Sequence, residues 1–347
     1  KIKKNFVIFI LILITLNILG QIFYYINIKT SLLNLSILLI GIYFFDFKGN
    51  KKIISKYIFL NLILFSGILI SKLHEDWSYH FNFIEQISRH SPIIGIGNVD
   101  DIHILSSSYF AYFQKLFYLP FFEFKLIMVP TYLLFFNLAS FLILKILQTK
   151  TKIYLIFLFL LILIVGKFSR LSEFGYDYLS NFILIKLLIL FFISKVEKKN
   201  LNNIIYLLLF IYALSIKITA IFFVPILIYI IYENSNKINL PKSNIKYLFG
   251  SLVLFFLIEN FLRSGCILYF TEFTCFDKNI VSWSIDFERV KDHSTHVELW
   301  AKAFYHQSEI IDKTSYTHLS YWFKNWFKLH FINKILLFVS IFITFLI

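Results

Sequence analysis

Charge is scarce in this chain. Asp, Glu, Lys and Arg make up 16% of its 347 residues and hydrophobic residues make up 59%, whereas a soluble domain carries roughly 25% charge to cover its surface. With a mean hydropathy of +0.74, the shortage excludes an ordinary water-soluble domain. It fits a protein whose outer face meets lipid, where the surface can be as apolar as the core. Cysteine is scarcer still. Cys266 and Cys275 are the only two, too few for a disulfide scaffold or a four-thiolate zinc site. They can form one local disulfide if the space around them is oxidising. Glycine and proline number 10 and 5, so there are no low-complexity linkers to divide the chain. A small-residue cleavage site is also missing after the first apolar run, which is therefore expected to remain as a membrane anchor.

The formal charge of +14 looks at first like a nucleic-acid signal. No basic groove with interleaved aromatics accompanies it, so nucleic acid is excluded as a partner. The basic residues are 30 Lys and four Arg. The Lys fall in short runs between apolar stretches, such as Lys1-Ile2-Lys3-Lys4, Lys51-Lys52 and Lys198-Lys199, which is how positive charge marks cytoplasmic loops.

A spanning helix needs about 20 apolar residues. Candidate spans fall at 6–27, 31–46, 53–72, 121–147, 152–167, 178–194, 203–216, 218–232, 246–262 and 333–347. The expected fold is therefore an all-α, polytopic transmembrane helix bundle of about ten spans, residues 1–347 forming a single transmembrane domain. The last run ends inside an apolar stretch, Ile335 to Ile347, so the chain is expected to continue beyond it. The stretch 203–232 is long for one helix and short for two, with Lys217 in its middle. Two helices turning at Lys217 keep the charge pattern regular, whereas one tilted helix would invert everything after it. With the N-terminus inside, every inner loop is short and lysine-rich, and every Arg is outside. Residues 73–120 and 263–332 become two long outer loops, both rich in aromatics. Phe83, Ile84 and Ile87 share one helical face, as do Leu319, Trp322, Phe323 and Trp326. Short interfacial helices are expected there, roofing the bundle.

Polar residues concentrate in those outer segments. His74-Glu75-Asp76-Trp77-Ser78-Tyr79-His80 places two carboxylates where a helix meets the outer interface. A carboxylate there can take a proton from a hydroxyl or hold a divalent cation. Gly95-Ile96-Gly97-Asn98 is a turn rather than a dinucleotide fingerprint, since no strand precedes it; Asp100 and Asp101 follow and can join Asp76 at a cation. Ser169-Arg170-Leu171-Ser172-Glu173-Phe174-Gly175-Tyr176-Asp177 is a compact polar loop in which Arg170 can bind phosphate with Glu173 or Asp177 orienting it, or simply form an internal salt bridge. Glu259 and Arg263 stand at the outer end of a span, where Arg263 can meet a lipid phosphate. His293-Ser294-Thr295-His296 lacks the further ligand a zinc site needs.

The stretch Asp76-x-x-Tyr79-His80, then Gly97-Asn98 and Ser106-Ser107-Ser108, then Glu173-x-Gly175-x-Asp177, then Asn260-x-x-Arg263-Ser264-Gly265 resembles bacterial multi-pass proteins grouped with the GT-C superfamily of membrane glycosyltransferases. The resemblance covers about residues 70–280. It implies transfer of a sugar from a polyprenyl-phosphate donor to a glycan or lipid acceptor at the extracytoplasmic face of a bacterial inner membrane. It also implies an essential acidic residue in the first outer loop, matching Asp76 or Glu75, with His80 nearby as orienter. Arg170 and Arg263 would hold the lipid phosphate. Any divalent metal (Mg or Mn) would sit on Asp76, Asp100 and Asp101. Three candidate spans precede the acidic motif here, where many members of the superfamily have one. An O-antigen polymerase or ligase is the nearest alternative, but no Arg has Gly eleven positions on. A transporter or a non-catalytic membrane subunit are the others; the span centres, apolar but for Lys186 and Lys217, argue against a transport path.

Overall fold

A computed structural model describes residues 2–28, 31–43, 77–99, 108–122, 124–149, 154–166, 176–196, 202–234, 243–269 and 271–301. The described residues are helical throughout, apart from turns and one isolated antiparallel bridge between Cys266 and Cys275. In chain order the helices are α1 (Ile2–Tyr25), α2 (Ser31–Tyr43), α3 (Trp77–Arg89), α4 (Ile96–Val99), α5 (Ala111–Lys115), α6 (Val129–Gln148), α7 (Tyr154–Val165), α8 (Tyr176–Val196), α9 (Asn203–Ile216), α10 (Val224–Glu233), α11 (Ser243–Ser264) and α12 (Phe287–Ala301).

Three of these, within α6, α8 and α11, are long and apolar enough to cross a membrane. Among the described residues, the expectation of about ten full spans is not supported. The apolar runs are real, but turns cut several of them short. At 1.5 Å per residue, the 14 residues of α9, bounded by Asn202 and Lys217, reach only about 21 Å, less than the roughly 30 Å hydrocarbon core. The run at 121–147 opens late for a local reason. Phe121 turns the chain with φ +68°, a short 3₁₀ turn follows at Phe124–Leu126, and Pro130 then starts α6 in the first-turn position that tolerates its missing N–H. The candidate spans 53–72 and 333–347 lie outside the described residues, as does the aromatic face at 316–330.

The stretch 203–232 is two elements. Asn202 caps α9 by accepting from the Ile204 N–H at 3.0 Å. The helix stops at Lys217, whose backbone is extended. A 3₁₀ turn, Ile218–Phe223, leads into α10, again with proline in its first turn. Glu233, at the end of α10, forms an ion pair with Lys195, at the end of α8. The chain therefore leaves the Lys195 end along α9, reverses at Lys217 and returns.

At the opposite end, the first long loop folds back onto the helix termini. The Tyr109 N–H donates to the Ser215 carbonyl at 3.2 Å, and the Gly95 N–H donates to the Leu262 carbonyl at 2.7 Å. The Asn98 amide donates to the Trp283 carbonyl at 2.7 Å, joining the first long loop to the second. Gly95 has φ +71°, and a Cβ there would lie 2.6 Å from the Trp283 Cβ, so both backbone angle and space require glycine. The helix expected over 80–90 is present as α3. Its apolar face, Phe83, Ile84 and Ile87, is buried in the protein core rather than left to a membrane surface. In the second loop a disulfide joins Cys266 and Cys275, and a small cluster of Cys266, Tyr269, Ile285 and Val290 packs beside it.

Candidate functional site

The end of the molecule where both loops meet contains a buried carboxylate. Glu259 lies one turn before Arg263 near the end of α11, and the Arg263 Nε is 3.0 Å from Glu259 Oε1. Both side chains are buried. Three groups donate hydrogen bonds to the same carboxylate: Tyr112 to Oε1, Tyr25 to Oε2 at 2.8 Å and the Gln21 amide to Oε2 at 3.1 Å. Gln21 in turn accepts from the Tyr109 hydroxyl at 2.6 Å. The Arg263 guanidinium stacks over the Phe83 ring, 3.9 Å from its centroid, so its flat face is covered by α3. Burial pushes the Tyr109 and Tyr112 phenols well up, and the charge on Glu259 pushes them further, keeping both as donors.

Helix α1 brings its own polar stripe to this end. The Asn17 amide donates to the Tyr109 carbonyl and accepts from the Phe113 N–H, both at 2.9 Å. One side chain thus adds a second hydrogen bond to two backbone groups of the α5 turn, since the Tyr109 carbonyl also accepts from the Tyr112 N–H and the Phe113 N–H also donates to the Phe110 carbonyl. Gly20 permits the approach, since a Cβ there would fall 2.0 Å from the Tyr112 carbonyl oxygen. Asn17, Gln21 and Tyr24 recur at the spacing of one helical face. That spacing was visible in the sequence but hidden by the surrounding apolar residues. The apolar helices therefore bury polar side chains of their own, Asn17, Gln21 and Glu259 toward this end and Lys186 within α8.

A second constellation lies beside the first. The His80 ring meets the Tyr176 ring edge-on at 4.5 Å, and Tyr176 donates to Gln114 at 2.6 Å. Burial lowers the His80 pKa well below its ordinary value, and the Lys217 charge lowers it further, so the ring is neutral at pH 7. The sign of the pH effect follows. An unfolded His gains a proton as pH falls below about 6.5, while the folded one resists, so stability is lost below that pH. Thermal unfolding midpoints are expected to fall between pH 7 and 5 in the wild type, and His80→Gln is expected to flatten that slope. An unchanged slope would count against a buried neutral His80.

Of the residues singled out from the sequence, the structure brings His80, Glu259 and Arg263 into one end of the molecule. Arg263 has its charge matched within the protein. Asp177 belongs to the first turn of α8, with its side chain outside the described residues. Glu75, Asp76, Asp100, Asp101, Arg170 and Glu173 also lie outside them. Sequence reasoning missed Asn17, Gln21, Tyr25, Tyr109 and Tyr112. Among the described residues, no three His, Cys, Asp or Glu side chains gather as a metal site would need. Glu259 does not fit as a ligand, because its oxygens accept from Gln21, Tyr25 and Tyr112 and its charge is paired with a guanidinium. His293 has its Nδ1 on the Tyr269 hydroxyl at 2.6 Å.

A family model described as a domain of unknown function, DUF8201, matches residues 73–347. No curated protein and no solved structure matches the chain.

Proposed function

We propose that this chain, which belongs to the DUF8201 family of unknown function, is a membrane-embedded glycosyltransferase. It moves a sugar from a polyprenyl-phosphate donor to a glycan or lipid acceptor at the extracytoplasmic face of a bacterial inner membrane. The supporting observation is the contact between His80 and Tyr176. His80, on α3, follows Asp76 by four residues in the sequence, and Tyr176, at the start of α8, falls between Glu173 and Asp177 in the sequence. Two polar motifs almost one hundred residues apart are thereby joined at one end of the helices, where two loops also meet. In this reading that end faces the outside and the lysine-rich ends face the cytoplasm.

The reaction needs one proton acceptor and charge stabilisation. The acceptor hydroxyl oxygen bonds to the anomeric carbon as the bond from that carbon to the phosphate oxygen breaks. The electron pair of the broken bond leaves with the polyprenyl phosphate, and the Asp76 carboxylate takes the hydroxyl proton. His80, neutral and held by Tyr176, orients the base. Arg170 faces the phosphate, where charge grows as the bond breaks. A divalent metal held by Asp76, Asp100 and Asp101 would neutralise the same phosphate.

Purified full-length protein incubated with a polyprenyl-phosphate hexose and a membrane-lipid acceptor fraction is expected to transfer the sugar. Asp76→Asn should lower the rate by at least about a hundredfold, the lower bound for a lost general base, while leaving the protein folded. Undiminished transfer by Asp76→Asn, or none by the wild type with or without Mg or Mn, would overturn the reading.

A further inference from the structure

Three cationic side chains are buried among the described residues: Lys115, Lys186 and Arg263. Arg263 is paired with Glu259. Lys186 donates to the Asn137 side chain at 2.9 Å. Lys115, which is 3% exposed, has neither arrangement. Its Nζ lies 5.5 Å from the centroid of the Tyr24 ring, and no described residue offers it a carboxylate or a hydrogen-bond acceptor. The Tyr24 hydroxyl is already engaged, accepting from the Ile93 N–H at 3.2 Å.

This is not a loose surface lysine. The Lys115 carbonyl accepts from the Asn34 amide at 3.2 Å, and the same amide donates to the Tyr118 carbonyl at 3.0 Å. Asn17 ties the other end of α5 to α1. The backbone is therefore clamped from two helices, and the side chain leaves it from a fixed point. An ammonium buried without a counter-charge is unfavourable unless something supplies one. Tyr24 can stabilise a cation through one ring face but cannot neutralise it. Burial alone brings the Lys115 pKa down to about 7, so an arriving anion would restore the charged form.

We propose that Lys115 is the seat of a phosphate group, bound at its ammonium, which leaves α5 beside the Tyr24 ring, at the end of the molecule where the two long loops meet. The identification of that phosphate as the lipid-linked donor's rests on the glycosyltransferase reading, whereas the anion site itself does not. With Arg263 facing Glu259 and Lys186 donating to Asn137, Lys115 is, among the described residues, the buried cation with capacity left for a ligand. The same chemistry would also accept a phospholipid headgroup or free phosphate.

Binding to the purified full-length protein in detergent distinguishes these sources. The probe is a fluorescent polyprenyl monophosphate, with the matching polyprenyl alcohol as neutral control. The test uses the Asp76→Asn background, so that no turnover is required. Lys115→Met is expected to weaken phosphate binding at least tenfold and to leave alcohol binding unchanged. Lys115→Arg should retain most of the affinity, which a merely structural role for the side chain would not predict. Competition by dioleoyl phosphatidylglycerol at equal concentration assigns the seat to bilayer headgroups. Competition by millimolar inorganic phosphate assigns it to the free anion, and competition by neither assigns it to the polyprenyl phosphate. Equal binding of the phosphate probe by folded Lys115→Met and its parent would overturn the site. Loss of binding without any sugar transfer by the wild type would keep the site and remove the glycosyltransferase reading.

Discussion

Replacing Glu259 with alanine is expected to destabilise the protein by about 3–5 kcal/mol, the range for removing one partner of a buried ion pair. The carboxylate accepts from Gln21, Tyr25 and Tyr112 and faces the Arg263 guanidinium. Its loss would orphan three donors and leave a bare positive charge stacked on Phe83. The damage would reach beyond α11, because those donors come from α1 and from the first long loop. The midpoint of thermal unfolding in detergent should fall sharply for Glu259→Ala and for Glu259→Gln, which keeps the shape but not the charge. The double variant Glu259→Gln/Arg263→Met should recover part of the loss, since no unmatched charge then remains. A single-variant loss below about 1 kcal/mol, the worth of an exposed pair, would show that water reaches this pair. A double variant no better than the single one would show that the hydrogen bonds, and not the charge, dominate.

Replacing Gly20 with valine should cost at least as much. Even a single Cβ at this position would lie 2.0 Å from the Tyr112 carbonyl oxygen, which is backbone and cannot swing aside. Helix α1 would have to retreat from α5, breaking the Asn17 bracket and the Gln21 contact together. Overpacking in a core costs about 1–3 kcal/mol, and the loss of those hydrogen bonds adds to it. Faster proteolysis within 108–118 is the expected sign, alongside a lower unfolding midpoint. Gly250→Ala is the control. A Cβ there meets nothing within 4 Å, and alanine in a helix interior is favoured over glycine by about 0.5–1 kcal/mol. Equal behaviour of Gly20→Val and Gly250→Ala would rule out the close approach of α1 to the loop.

The break of 203–232 at Lys217 was legible because its signal is local. The starts of α6 and α10 were not read, although Pro130 and Pro225 in their first turns mark them. The apolar face at Phe83, Ile84 and Ile87 was visible from its period. Its destination was not, because an amphipathic face looks the same whether it meets lipid or protein. Among the described residues fewer full spans appear than hydropathy suggested, because hydropathy counts apolar residues without seeing turns such as those at Phe121 and Lys217. Pairing Arg263 with a lipid phosphate was reasonable for an arginine at a helix end, but Glu259 one turn back already matches it. That partner stood in the same motif, and the i, i+4 spacing was the available clue.

The sequence by itself determined a chain of apolar helices with polar character gathered at a few positions, because helix formation and burial depend on neighbours within a turn or two. It did not determine which polar positions would meet. The Glu259 carboxylate draws Gln21 from 238 residues away and Tyr112 from 147. Among the described residues, only the packing of α1, α3, α5 and α11 against one another brings those donors within reach. That packing also buries Lys115, and among the described residues no counter-charge meets it. No pattern in the sequence distinguishes it from the other 29 lysines, because the missing partner is a fact of three-dimensional surroundings and not of chain order.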